Sequence, residues 1–267
     1  RESIETQPDA DGTDSPTLGM PALSVSQAIA QRKSCRHFLA RQPAPDDVVE
    51  ILRLASRAPS GANMQPWRCY VLVGEERQRL VDTVLESIAA GKFPLDSPEF
   101  NVYPSREELR KPENAALRSR RLKLGIDMYA KLGVAKGDDE GSLRALKRNY
   151  EFFNAPVGII VTVDQALDKN GWGHVGCFLQ TVCLLAEERG LATCLQEAWS
   201  QKAEEVVAHL GIDTTREAVW CGVALGYADE SEPVNSLVTE RASVSDFAQF
   251  RVGSAPGWRE SATRSKL

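Results

Sequence analysis

The sequence predicts an α+β sandwich on three grounds: it has only a few short segments of strand character, helical segments lie between them, and several helices are too apolar to bury one face alone. Residues 24–31 read as a short helix, and Pro45-Asp46-Asp47 opens a second in which Val48, Ile51, Leu52 and Ala55 keep helical spacing until Pro59 stops it. Residues 67–73 alternate and are rich in aromatic and β-branched side chains, the pattern of a strand; Gly74 closes it, and a helix follows over 75–90. Pro156 introduces a continuous apolar strand over 157–163. Residues 174–189 form an apolar helix, with Val175, Phe178, Leu179, Val182, Leu185 and Ala186, that ends at Gly190, where a left-handed residue fits. A short strand at 193–196, a helix over 200–210 and a strand over 218–225 complete the count.

At 267 residues with 42% hydrophobic side chains, the chain can bury a sizeable core, and one domain is the expected division. A net charge of −5 leaves no global positive field for nucleic acid or an anionic membrane. No apolar run approaches the ~20 residues of a membrane span, and the six cysteines show no C-x-x-C, so they read as reduced, mostly buried thiols of a cytoplasmic protein. Residues 1–22 and 253–267 are polar and are expected to be flexible tails around a domain at 23–252. Within it, 91–150 is expected to be a mostly helical lid or insertion; its basic run Arg118-Ser119-Arg120-Arg121 is read as a solvated helix face in preference to an anion site.

Three stretches carry candidate chemistry. Arg32-Lys33-Ser34-Cys35-Arg36 offers two guanidinium groups and a hydroxyl at alternating positions; at a helix end, arginines four apart share a face and can grip a phosphate. In Pro59-Ser60-Gly61-Ala62-Asn63-Met64-Gln65-Pro66-Trp67 the prolines fix the backbone, Gly61 is expected to free it, and Ser60, Asn63 and Gln65 present hydrogen bonds without charge to a planar heterocycle. The third is Gly190-Leu191-Ala192-Thr193-Cys194-Leu195-Gln196-Glu197-Ala198. One further motif is argued down: Gly171-Trp172-Gly173-His174-Val175-Gly176 satisfies G-x-G-x-x-G, but seven residues part it from the preceding strand, where a dinucleotide turn must follow at once. No cluster with metal-ligand spacing, G-x-S-x-G elbow or P-loop is present in the sequence.

The first two stretches, in this order and spacing, resemble the opening of the FMN-dependent nitroreductase family, and the resemblance extends from Val25 to Phe250. The proline- and tyrosine-bearing insertion is similar to the branch containing nitrobenzoate and dinitroaniline reductases. The resemblance implies a three-layer sandwich with a mostly antiparallel central sheet, assembled as an intertwined homodimer with FMN between the chains. It implies that Arg32 and Ser34 serve the ribityl phosphate, with Lys33 beside them, and that Arg36 reaches the pyrimidine edge. Pro59, Ser60, Gly61, Asn63 and Gln65 would reach the partner's flavin, and Gln196, Glu197 and Ala198 would pass its N5, the last two with their backbone. Arg241 would close over the phosphate and Asn149 would face the ring. Hydride passing from NADPH or NADH to a nitroaromatic acceptor in a ping-pong scheme is the implied activity. Same-fold alternatives are reduction of enones, dehalogenation, flavin fragmentation, or a flavin-binding dimer without turnover.

Overall fold

The computed structural model of the chain describes residues 23–92 and 106–252, so both predicted tails and the stretch with Phe93-Pro94 and Tyr103-Pro104 lie outside the described residues. Four strands, β1 (Trp67–Val73), β2 (Val157–Asp164), β3 (Ala192–Gln196) and β4 (Glu217–Gly226), form one sheet in the order β1-β2-β4-β3, with every neighbouring pair antiparallel. A bulge between Val161 and Thr162 shifts the pairing with β4, so that Val161 faces Cys221 and Thr162 faces Val219.

Strand β2 is buried almost throughout, and its alternation divides the core. Val157, Ile159, Val161 and Val163 face α2 (Pro45–Ala55) and the long α7 (Asp168–Glu188), packing on Ile51, Val175, Phe178 and Val182. On the other side Ile160 and Ala224 meet α3 (Gly74–Ala89), α8 (Ala203–Leu210) and the ring of Trp199. The result is helix, sheet, helix: three layers, as the resemblance implied. Helix α1 (Val25–Gln31) is set by a capping box in which Ser24 and Gln27 satisfy each other's backbone N–H. The insertion supplies α4 (Arg106–Arg110), α5 (Ala115–Lys131) and α6 (Asp139–Tyr150), in keeping with a mostly helical segment, and α9 (Val244–Phe247) comes last.

Two expected boundaries move. Helix α7 begins six residues before the predicted start, so Gly171 and Gly173 lie inside it and form no phosphate-binding turn. Gly171 is there for close packing: a Cβ would stand 2.8 Å from Val163 Cγ2, in the strand below. The helix expected over 200–210 is split into a 3-10 turn, Glu197–Lys202, and α8. Gly190 takes the predicted left-handed conformation, φ 67°, ending α7. Cys177 departs from the buried-thiol expectation, since it is exposed, while Cys35, Cys183, Cys194 and Cys221 are buried.

The turn Glu197–Lys202 is clamped by its last residue. Lys202 is 1% exposed, and its ammonium donates to Ser87 Oγ, to the Lys92 carbonyl and to Glu205 Oε1. Partial burial pushes the Glu205 carboxyl up, but hydrogen bonds from Ser87 and Lys202 outweigh it and leave the group below its ordinary value. A depressed carboxyl stabilises the fold above its unfolded value of 4.5, and that contribution is lost as pH falls through the folded value. The melting temperature is therefore expected to fall below about pH 4.5. In Glu205→Gln this part of the fall should be absent, and thermal melts between pH 7 and pH 3 check it.

Candidate functional site

The arginine-bearing segment is not helical, which corrects the shared-face expectation for Arg32 and Arg36. Helix α1 ends at Gln31, Arg32 leaves it with ψ 117°, and the chain then runs beside the sheet, bridging Ser34 to Thr193 and Phe38 to Ala228. The Arg36 guanidinium turns back to donate to the Ser34 carbonyl at 3.2 Å. The Ser34–Thr193 bridge sets the segment against the edge strand beside Cys194, whose thiol burial pushes up and Arg36, Ser34 and Arg32 draw back down. Lys33 instead pairs with Glu230 at 3.0 Å. Burial pushes the Cys35 thiol up to about 12 and that of Cys194 to about 11, which leaves neither a nucleophile near neutral pH.

Asn235, which no sequence motif singles out, holds this segment. It is 1% exposed; its Oδ1 accepts the Arg36 backbone N–H at 2.8 Å, and its Nδ2 donates to the carbonyls of His37 at 2.8 Å and Asp229 at 2.9 Å. His37 is bracketed by Asp229 and Glu232, at 3.6 and 3.8 Å from opposite ring nitrogens. The only sequence signal for these contacts is a buried asparagine in a polar turn, and that is no signal without the fold. Arg241 is exposed, and its guanidinium bonds locally to Thr239 and the Glu240 carbonyl.

At the end of β3, Gln196 is 2% exposed and donates to the Asn149 carbonyl at 2.6 Å, which ties α6 to the turn carrying Glu197 and Ala198. Asn149 spends its own amide on the Leu146 carbonyl at 3.2 Å. Gln196 Oε1 is buried with no partner, an acceptor waiting for a donor. The turn rests on Trp199, which stacks on Phe152 at 4.4 Å and meets Tyr150 edge-on at 5.6 Å. Phe152, Phe153 and Asn154 all have positive φ, and this left-handed corner drives Phe152 beneath the turn.

The loop Pro59–Gln65 lies elsewhere. Its left-handed residues are Ala62, Asn63 and Gln65, with φ of 49°, 58° and 47°, and Gly61 is not among them. Gly61 instead allows close approach, since its N–H donates to His174 Nε2 at 3.2 Å and a Cβ would stand 3.0 Å from the same atom. The Ser60 hydroxyl accepts the Gln65 N–H, and the Gln65 amide donates to the Asn63 carbonyl. His174 lies near the start of α7, whereas Glu187, whose carboxyl is pushed up by burial and drawn back by Arg32 and Lys33, lies near its end. Thirteen helical residues, about 20 Å, separate the two ends. One chain therefore does not bring the loop to the arginine segment, and among the described residues no hydrogen bond or ion pair joins them.

The geometry defines an α+β domain with an arginine-bearing segment laid along the edge strand and a separate neutral hydrogen-bonding loop. Residues 29–227 match the family pattern described as the nitroreductase family. The chain is 36% identical over 227 residues to the chloronitrobenzene nitroreductase of Comamonas testosteroni, covering 85% of this chain and 96% of that one. It is 37% identical over 224 residues to a 4-nitrobenzoate reductase of Pseudomonas putida, covering 83% and 93%. Among solved structures, it is similar to the FMN and NADPH-dependent nitroreductase NfnB from sphigopyxis sp. strain HMH, with a TM-score of 0.79, 35% identity and 86% and 99% of the two chains covered. It is also similar to NfnB from Mycobacterium smegmatis in complex with NADPH, with a TM-score of 0.75, 27% identity and 85% and 99% covered. The chain belongs to the nitroreductase family.

Proposed function

We propose that the protein is an FMN-dependent oxidoreductase that uses NADPH or NADH to reduce nitroaromatic compounds, and that it works as a homodimer. Beyond the relatives, the observation that supports this reading is the orphan acceptor Gln196 Oε1, at the end of β3 in the turn that the motif resemblance assigns to the flavin edge. The residues present fit FMN. Arg32 and Ser34 supply a fork and a hydroxyl for its phosphate, Arg36 a cation for the ring edge, Gln196 an unmet acceptor for a ring N–H, and Glu197 and Ala198 backbone groups. Arg241, bonded to its own turn, would swing onto the phosphate.

When bound, FMN would supply the hydride-transfer chemistry between nicotinamide and acceptor in a ping-pong scheme. The chain's part is orientation and charge. Arg36 would stabilise negative charge at the ring edge, which would favour the reduced form, and the buried Cys194 and Gln196 would help to keep water from it. The relatives act on chloronitrobenzene, nitrobenzene and 4-nitrobenzoate, and the nitro group is the chemistry they share.

The separation of about 20 Å along α7, which a three-ring heterocycle does not bridge, supports the dimer reading. In a two-fold pair with the α7 helices antiparallel, the start of one helix lies beside the end of the other, so the loop Pro59, Ser60, Gly61, Asn63 and Gln65 of one copy meets Arg32–Arg36 of its partner. Helix α7 offers a suitable stripe: Gly173, Gly176, Cys177 and Gln180 are all exposed, and nothing lies within 4 Å of a Cβ placed on either glycine. Val25, Ile29, Val49, Val238 and Phe247 are exposed apolar groups that a second copy would cover. None of the described helices is long and apolar enough to cross a membrane, and the six cysteines carry no disulfide, in keeping with a cytoplasmic setting.

The purified protein is expected to be yellow, to bleach under anaerobic NADPH, and to regain its colour when a nitroarene is added, with nitroso and hydroxylamine products. A colourless protein that binds NADPH without flavin overturns the reading. One that stays yellow under NADPH is a binding dimer.

A further inference from the structure

A cavity of about 640 Å³ opens at the end of the sheet where β2 runs out and β4 begins. Strand β3 pairs with β4 only from Gly222 to Gly226, so residues 217–221 have no strand on that side among the described residues, and α8 and the start of α7 wall the space instead. The arginine-bearing segment bridges to Thr193, which pairs with Leu225, six residues and about 20 Å along β4 from Val219 at the cavity. On one chain the two places are separate.

The charge in its lining is of one sign. Asp164, Glu204 and Glu217 bring carboxylates, and no lysine, arginine or histidine lines it among the described residues. Glu217 is already satisfied: it is 9% exposed, Arg68 pairs with it at 3.3 Å, and the hydroxyls of Tyr70 and Thr162 donate to it at 2.9 and 2.6 Å. Asp164 and Glu204 have no ion pair among the described residues. The Ala166 N–H donates to Asp164 Oδ1 at 2.9 Å, which fixes that carboxylate and leaves Oδ2 without a protein donor among the described residues. The remaining wall is apolar, with Val163, Val207 and the half-buried indole of Trp172, which Trp220 props at 5.0 Å between ring centroids.

Two uncompensated carboxylates repel an anion, and a neutral guest would strip water from them and return nothing. A cation with an apolar body meets both demands, its charge facing the carboxylates and its body the indole. A bare metal ion does not fit, since the oxygens of Asp164, Glu204 and Glu217 do not all lie within 4.8 Å of one another. The volume of 640 Å³ falls inside the span of small-molecule pockets, roughly 300–1000 Å³, and suits an amine with one ring. We propose that this cavity binds a small organic cation, with its ammonium group meeting Asp164 and Glu204 and its apolar body resting on Trp172. The site is independent of the flavoenzyme reading, in which none of these residues serves the cofactor.

Benzylammonium is the probe, with benzyl alcohol and benzoate as neutral and anionic molecules of like shape. In calorimetry on the FMN-loaded protein, benzylammonium is expected to bind once per chain, about tenfold more tightly than benzyl alcohol, and to weaken with added salt, while benzoate does not bind. Glu204→Gln and Asp164→Asn should each weaken benzylammonium about tenfold, and Trp172→Leu about fivefold. Glu204 is exposed, and asparagine at 164 keeps the acceptor for the Ala166 N–H, so neither loss is a loss of fold; thermal melts check this. Equal affinity for benzylammonium and benzyl alcohol overturns the proposal, because the cavity is then merely apolar. So does the absence of saturable binding, or an affinity unchanged in both Glu204→Gln and Asp164→Asn, which puts the amine elsewhere on the protein.

Discussion

Asn235→Ala is expected to strip the protein of FMN. The side chain is buried and meets three backbone groups: the Arg36 N–H and the carbonyls of His37 and Asp229. Alanine leaves all three without a partner, and a buried polar group so abandoned costs about 1–3 kcal/mol, less where water can reach it. Because Arg36 and His37 are only half-buried, the loss of stability should be nearer about 3 kcal/mol than the sum of three full penalties. The larger effect falls on the cofactor. Arg36 is placed by its backbone, and a segment free to move a fraction of an ångström no longer presents Arg32, Ser34 and Arg36 together. Flavin fluorescence on dilution should show FMN binding weakened more than tenfold. Asn235→Asp, which still accepts the Arg36 N–H but donates nothing, should fall between alanine and the native protein. Full retention of FMN in Asn235→Ala would show that the strap positions nothing.

The second large effect is at Trp199. It is 0% exposed, and its ring lies between Phe152, Tyr150 and the backbone of Gly222, where a Cβ would stand 2.2 Å from Trp199 Cδ1. Trp199→Ala removes the support under the turn carrying Glu197 and Ala198. It should cost about 3–5 kcal/mol, the range for a large buried aromatic reduced to alanine. Gly222→Ala attacks the same contact from the strand side and should cost about 1–3 kcal/mol by overpacking. The indole Nε1 is buried without a partner, so Trp199→Phe gives up packing but also removes an unpaired donor, and it should be the mildest of the three. Chemical denaturation ranks the series. If Trp199→Phe unfolds as readily as Trp199→Ala, the stacked ring is not what holds the turn.

Much of this could be read locally. A strand that alternates, such as residues 67–73, or an apolar run bounded by proline, such as 157–163, carries its own signature, and Gly190 stops α7 because an L side chain resists that backbone conformation. Gly171 and Gly173 misled for the converse reason. Glycine serves turns and close packing alike, and only the presence of Val163 beneath Gly171 tells which applies. Gly61 raised the same ambiguity, and His174, more than a hundred residues away, resolved it in favour of close approach. The helical geometry expected of Arg32 and Arg36 failed because the four-residue spacing is shared by a helix and by an extended segment clasped from outside, and the clasp is Asn235.

The linear chain by itself determined the α+β class, the strand and helix inventory near the sheet, and the residue types offered to a phosphate-bearing flavin, because propensity, periodicity and motif spacing are local quantities. Only the tertiary structure decided that Asn235 holds the arginine segment, that Gln196 keeps a buried acceptor unmet, and that α7 parts the neutral loop from the arginine segment. Those facts are distances between residues far apart along the chain, set by how the layers pack, and no window of sequence contains them.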